Sequence, residues 1–240
     1  ESHGMRSPSQ DLVEKIAFGR ADAVLVNSEA VASFLHHRGV SKRKTRLIYN
    51  GVDLERFDKA DGERLDLASL GLPSFEGICL VTLVANLRHS VKNVPMLIRS
   101  AKRVKDTYPH AHFVIAGEGE LREDLQRLAL EHEVADRVHF IGRCNDVPSL
   151  LAASSVCVLT SMAEGFSNSL IEYMAAGKPV VATKVGGAAE AVQHGLTGYM
   201  VAPDDDKEMA EHLMRLLSDE KKVKEMGAKA KEVVRERFSL

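Results

Sequence analysis

Between residues 78 and 201, short apolar runs rich in β-branched residues alternate with segments whose apolar positions recur at helical spacing. Ile78–Ala85 is apolar almost without a break, as a strand covered on both faces requires. Val94–Tyr108 then reads as a helix and His112–Ala116 as a strand. The series continues through a helix (Leu121–His132), a strand (Val138–Ile141), a helix (Val147–Ala153) and a strand (Val156–Thr160). It closes with a helix (Ser169–Ala176), a strand (Pro179–Thr183), a helix (Ala188–His194) and a strand (Gly198–Val201). Such alternation with short loops restricts the fold to the α/β class, a doubly wound parallel sheet with helices on both faces. Ligands of such sheets bind beyond the carboxyl ends of the strands. The loops at those ends are 86–92, 117–120, 142–146, 161–168 and 184–187, and they hold most of the chain's unusual polar and glycine chemistry.

The flanks organise the rest. Ala23–Asn27 and Thr45–Tyr49 read as strands around a helix that Ser28 can cap and that runs to about His37. Asn50-Gly51 is a turn signal, and the charged, irregular stretch after it to about Pro73 marks a domain boundary. The expected division is residues 1–50, a linker 51–76, a main domain 77–205, and C-terminal helices in 206–240 at Asp206–Leu217 and Lys221–Phe238.

Composition excludes several functions. A net charge of -2 gives no electrostatic footprint for a nucleic-acid partner. With no Trp and 5% aromatic residues, stacking platforms for single strands are not expected either. Cys79 and Cys157 sit in apolar runs as small core residues of a reduced cytosol, and with Cys144 they form no pair at metal-ligand spacing. The adjacent His36-His37 reads as a solvated helix end. No apolar run is long enough to span a bilayer.

The chemistry concentrates in three places. Glu164 and Glu172 are separated by seven residues, over which a small polar turn passes into an apolar helical pattern. Ser167 or Asn168 can cap that helix, and the N–H groups of Asn168, Ser169 and Leu170 can hold a phosphate oxygen. The helix dipole adds about 0.5–1 kcal/mol for an anion there. Glu172 can accept hydrogen bonds from vicinal hydroxyls. The second place is Asn86–Asn93, where Arg88 and Lys92 can neutralise a diphosphate, Arg by its fork and Lys as a point charge. The third is the glycine set Gly117, Gly119, Gly142, Gly186 and Gly187, which permits close backbone approach. Gly117-Glu118-Gly119 lacks the third glycine of a dinucleotide fingerprint. No Asp-x-Asp or carboxylate trio suggests a metal.

With these residues the chain resembles the retaining glycosyltransferases of family 4, which have the GT-B fold. The resemblance rests on EGFSNSLIEYMAAGKPVVATKVGG, Glu164–Gly187, with its E-x7-E element. Val24–Val31, Arg46–Asp53, Val84–Asn93, Ile115–Arg122 and Phe140–Ser161 support it in order. It implies a Rossmann-like nucleotide-sugar domain, preceded in residues 1–50 by the end of an acceptor-binding domain. The chain would then be a C-terminal part of the enzyme, inactive alone. By position, Glu172 would hold ribose hydroxyls, and Glu164 would contact the donor sugar and shape the transition state. Backbone amides of Phe166, Ser167, Asn168, Ser169 and Leu170 would bind sugar and phosphate. Arg88 and Lys92 would stabilise the departing diphosphate, Gly142 and Arg143 would lie near the base, and Gly117 would line the donor site. Arg88 follows Leu87, where many members place Arg directly after Gly.

The activity so implied is metal-independent, hexosyltransferase-like transfer with retention from a UDP- or GDP-sugar, a substrate rather than a cofactor. The acceptor would be a saccharide or a lipid-linked hydroxyl. The enzyme would be cytoplasmic, with peripheral association at the inner face of the membrane open for its full length. The alternatives are a non-catalytic nucleotide-sugar module, a nucleotide-sugar epimerase of similar fold, and a structural or partner-binding domain.

Overall fold

The structure, a computed structural model, describes residues 8–60 and 65–240. Expectations for residues 1–7 and 61–64 lie outside the described residues. The chain opens with α1 (Pro8–Arg20), β1 (Val24–Val26), α2 (Glu29–His37), β2 (Thr45–Leu47) and α3 (Glu55–Ala60). The main series is β3 (Cys79–Val84), α4 (Val94–Val104), β4 (Ala111–Ala116), α5 (Arg122–Glu131), β5 (Val138–Gly142), α6 (Val147–Ala153), β6 (Val156–Leu159), α7 (Asn168–Ala175), β7 (Val180–Thr183), α8 (Ala188–Ala191) and β8 (Gly198–Val201). Two helices close it, α9 (Asp206–Leu217) and α10 (Glu220–Arg237).

Every strand of the main series lies in one six-stranded parallel sheet, in the order β5-β4-β3-β6-β7-β8. Its inner strands β3, β4, β6 and β7 are largely apolar and almost entirely buried, because both faces are covered. One face packs against α4, α5 and α9 through residues such as Met96, Leu97, Ile98, Leu125, Met209 and Leu213. The other packs against α7 and α10 through Ile171, Tyr173, Met174, Ala230 and Val234. β1 and β2 form a separate parallel pair, on which Ala32 and Leu35 of α2 are buried. Ser28 caps α2 by accepting the Val31 N–H at 3.1 Å, as its position predicts. Leu25 and Ile48 of this small unit remain 67% and 60% exposed, so one of its faces is open.

The strands agree with the expected runs to within a residue or two. Two helices do not follow from the sequence pattern. α1 has only a weak amphipathic stripe, and Val13 and Ile16 on it are exposed. α3 sits in the charged stretch read as irregular, where Phe57 and Ala60 are buried. A 3-10 turn, Ala68–Leu70, lies in the same stretch. Cys79 is half-buried at the start of β3 rather than a core residue, whereas Cys157 is fully buried. His36 and His37 end α2, bonded to Thr45 Oγ1 and to the Ser33 carbonyl. Among the described residues no helix is long and apolar enough to cross a membrane.

α10 reaches the sheet because two glycines let backbones touch. A Cβ on Gly227 would lie 1.9 Å from the Gly177 carbonyl oxygen at the end of α7. After α10 the chain runs beside Val52, whose N–H bonds to the Phe238 carbonyl at 2.8 Å. Gly227→Ala forces these helices apart, and denaturant unfolding should show a loss of about 1–3 kcal/mol.

His112 on β4 stacks on His139 of β5, with 2.9 Å between Nδ1 and Nε2, at the sheet end opposite the ligand loops. Burial, with the His139 and Arg137 charges, pushes the His112 pKa down from 6.5 to about 4. Only the unfolded chain takes up this proton between those values, so stability falls as pH drops from 6.5 towards 4. Chemical unfolding across that range should give a shallower loss for His112→Leu than for wild type.

Candidate functional site

The strand order reverses between β3 and β6. From β3 the chain steps through β4 to β5 on one side, then returns to β6 and steps through β7 to β8 on the other. A crevice opens at the carboxyl ends of strands where the winding reverses. There the structure has a cleft of about 490 Å³. Arg88 and Lys92 line it from the segment after β3, Gly117 from the loop after β4, and Arg143 from the loop after β5. Asn168, Ser169 and Glu172 line it from the first turns of α7.

Main-chain contacts fix these loops. Leu87 N–H bonds to the Glu118 carbonyl at 2.9 Å, and Leu121 N–H returns to the Leu87 carbonyl at 3.1 Å. Gly117 has φ +151°, and a Cβ there would sit 1.8 Å from the Ala85 oxygen. Its N–H bonds to the Gly142 carbonyl at 2.8 Å. Gly117 and Gly142 therefore hold adjacent loops together, and Gly142 itself is buried behind the cleft wall.

α7 begins at the cleft with Ser167 at its N-cap position, but the Ser167 hydroxyl makes no capping bond and sits 3.3 Å from Ser169 Oγ. The first-turn N–H groups of α7 thus receive no cap from the Ser167 side chain, and Asn168 and Ser169 of that turn line the cleft. Glu172, one turn on, is half-buried. Burial raises its pKa, and Arg56 on α3 opposes that rise. Behind it Tyr173 is fully buried, and its hydroxyl accepts the Val84 N–H at 2.7 Å, tying α7 to the end of β3. Phe166 is also buried, its ring tilted against both Tyr49 and Phe238. Ser167 and Leu170 are buried too.

Glu164 lies on the loop after β6 and lines a neighbouring cavity of about 540 Å³, whose other wall is Ala30, Val31, Phe34 and Leu35 of α2. It joins the cleft through Lys92, whose Nζ is 2.5 Å from Glu164 Oε1. Ser161 donates to the same oxygen at 2.7 Å. Lys92 is held from behind, since its carbonyl accepts Thr160 Oγ1 at 2.6 Å and the Val91 carbonyl accepts the Met162 N–H at 2.8 Å. The next residue, Asn93, adopts φ +44° and donates to Asp204. Gly186 permits the Glu164 carbonyl to approach where a Cβ would meet it at 2.0 Å, and Gly187 N–H bonds to the Gly165 carbonyl at 2.7 Å.

Arg88, Lys92, Gly117, Arg143, Asn168, Ser169 and Glu172 are therefore brought to one cleft, and Glu164 to its edge. Phe166, Ser167, Leu170 and Gly142 build its frame. Asn50 is a participant that local patterns do not reveal. It donates to Asn168 Oδ1 at 2.6 Å and to the Phe166 carbonyl at 3.3 Å. The signals at that position were its turn motif, Asn50-Gly51, and its place in the Arg46–Asp53 block, neither of which points to Asn168.

An open parallel sheet with a cationic loop facing a helix N-terminus at its switch point is the Rossmann-like architecture of GT-B glycosyltransferases. The chain belongs to the glycosyl transferases group 1 family, whose model matches residues 73–233, while the Glycosyltransferase Family 4 model matches residues 2–56. It is 30% identical over 231 residues to N-acetyl-alpha-D-glucosaminyl L-malate synthase of Bacillus anthracis, covering 96% of this chain and 59% of that protein. Among solved structures, Anabaena HepE in complex with UDP is 26% identical with a TM-score of 0.87, over 99% of this chain and 66% of that one. HepE has also been solved with UDP-glucose. Sucrose-phosphate synthase of Thermosynechococcus elongatus is 28% identical with a TM-score of 0.84, over 100% and 60% of the two chains. The chain thus spans about six-tenths of the length of these relatives.

The raised pKa of Glu172 has a consequence for stability. An ionised carboxylate that burial disfavours costs the unliganded fold stability above its raised pKa, and costs nothing below the ordinary 4.5, where both states are protonated. Glu172→Gln should therefore melt above wild type at pH 7. The difference should shrink as pH falls and vanish below about 4.5 in differential scanning calorimetry.

Proposed function

We propose that this chain is the donor-binding part of a retaining, metal-independent glycosyltransferase, and that its cleft holds a nucleoside-diphosphate sugar. The observation that carries the reading is the convergence of Lys92, Arg88, the first turn of α7 and Glu172 on one cleft of about 490 Å³. A diphosphate needs cations and N–H donors, and a ribose needs a carboxylate acceptor one turn away. In this reading Glu172 accepts the ribose hydroxyls, and Arg143 stands beside the base. Arg88 and Lys92 hold the charge that grows on the leaving diphosphate, the kind of preorganised electrostatics that speeds many enzymes. Lys92 exchanges Glu164 for the diphosphate as the donor enters, which frees Glu164 to accept sugar hydroxyls. HepE, solved with UDP and with UDP-glucose, supports a uridine donor.

Residues 1–50 are read as the end of the acceptor-binding domain, 51–76 as the linker, 77–205 as the donor domain and 206–240 as its C-terminal helices. The open face at Leu25 and Ile48 supports the first of these, because parallel strands are ordinarily covered on both faces. The acceptor is a saccharide or lipid-linked hydroxyl, met at the inner face of the membrane by a cytoplasmic enzyme. Because the chain spans about six-tenths of its relatives, a second reading applies to this span alone: it binds the donor without turnover.

Titration calorimetry with UDP, GDP, ADP and UDP-glucose tests the assignment. Wild type should bind a uridine or guanosine diphosphate, and a concentration of 100 Kd should stabilise the fold by about 2.7 kcal/mol. Glu172→Ala and Lys92→Ala should each weaken nucleotide binding at least tenfold. Glu164→Ala should leave it within about threefold and abolish transfer in the full-length enzyme. Equal affinity in wild type and Glu172→Ala would refute the ribose assignment, and no thermal shift with any nucleotide would favour a structural domain.

A further inference from the structure

Glu190 takes no part in the cleft, yet its carboxylate joins parts of the chain more than 140 residues apart. Oε2 accepts the Glu29 N–H at 2.8 Å and Oε1 accepts the Ala30 N–H at 3.0 Å. These are the first two residues of α2, so a side chain of the main domain caps a helix of the N-terminal unit. Ser28 satisfies the third first-turn donor, Val31 N–H, from within the unit. The Tyr49 hydroxyl donates to Glu190 Oε2 at 2.9 Å, and Arg237 Nη1 donates to the Glu190 carbonyl at 2.9 Å. Tyr49 is correspondingly harder to ionise, through burial first and then this hydrogen bond.

The placement of these groups gives the contact a mechanical meaning. Glu190 stands on α8, directly after Gly186-Gly187. Those glycines press on the carbonyls of Glu164 and Gly165, and a Cβ on Gly187 would also lie 2.7 Å from Ser28 Cβ. The Glu164 loop, α8 and the start of α2 are thus one connected body. The next turns of α2 carry Ala30, Val31, Phe34 and Leu35, which face Glu164 across the cavity of about 540 Å³. A shift of the α2 first turn would change the width of that cavity, whose lining shares no residue with that of the cleft after β3 and meets it through the Glu164–Lys92 ion pair.

We propose that Glu190 is a positioning residue that latches α2 to the main domain and so sets the spacing between α2 and Glu164. Its effect on turnover rests on the reading of Glu164 as the sugar-contacting carboxylate. The carboxylate suits the task because it can accept two N–H groups and a hydroxyl at once, and it meets the positive end of the helix dipole. Gln offers one acceptor oxygen and turns an NH₂ group towards N–H donors. Asp keeps the charge with a shorter reach.

The test compares wild type, Glu190→Ala, Glu190→Gln, Glu190→Asp and Tyr49→Phe in the full-length protein. Amide exchange at Glu29 and Ala30 should speed up at least tenfold in Glu190→Ala and Glu190→Gln, with a smaller change in Glu190→Asp and Tyr49→Phe. The affinity for UDP or GDP, whichever wild type binds, should stay within twofold. kcat for release of that nucleotide from its sugar donor should fall at least tenfold at unchanged donor KM, with partial recovery in Glu190→Asp. Unchanged amide exchange would overturn the latch. Fast exchange with normal kcat would reduce Glu190 to a structural cap, and a parallel loss of nucleotide affinity would place its effect in the donor cleft. If wild type binds no nucleotide the donor reading fails, while the exchange comparison still decides the latch. Should Glu190→Ala not fold, Tyr49→Phe carries the same comparison.

Discussion

The reversal of winding between β3 and β6 is the constraint on which the rest depends. Two adjacent parallel strands hand their chains to helices that lie towards opposite sides of the sheet, and a cleft remains beyond the strand ends. The segments that leave these strands must turn there, one carrying Lys92 and the other Glu164. Their ion pair at 2.5 Å spans the reversal itself. Both side chains are largely shielded, at 23% and 13% exposure, so each charge needs the other. On the proposed donor reading, an anion reaching Lys92 would compete with the Glu164 carboxylate.

The cleft loops are held by backbone rather than by side chains. The approaches at Gly117, Gly119 and Gly186 bring carbonyls to where a Cβ would otherwise stand. Such contacts leave the side chains of Arg88, Arg143 and Glu172 free of structural duties. Gly142, buried behind the wall, takes part in the same way, with its carbonyl accepting the Gly117 N–H. The pKa of Glu172 shows the energetic side of this arrangement. A half-buried carboxylate is a burden to the fold once it is ionised, and the nearby Arg56 only partly relieves it.

The sheet was legible because strands covered on both faces are written as continuous apolar runs, from Cys79–Val84 to Val180–Thr183. Lys92, Glu164 and Glu172 were legible because local order places them at strand ends and a helix start. α1 was not, since its apolar stripe is weak and two of its apolar residues stay exposed. α3 was hidden among charges, with two buried residues to mark it. Asn50 and Glu190 escaped for another reason. Their partners lie at least 116 and at least 141 residues away, and no spacing rule connects a turn asparagine to a helix start or a carboxylate to the amides of a remote helix.

Phe238 packs edge-on against Tyr49 and tilted against Phe166, in the cluster that backs the loop between Glu164 and α7. During synthesis it leaves the ribosome after every other member of that cluster. The wall behind that loop therefore cannot close until the chain beyond α10 has emerged, so the last part of the chain to appear completes the packing behind the first turn of α7.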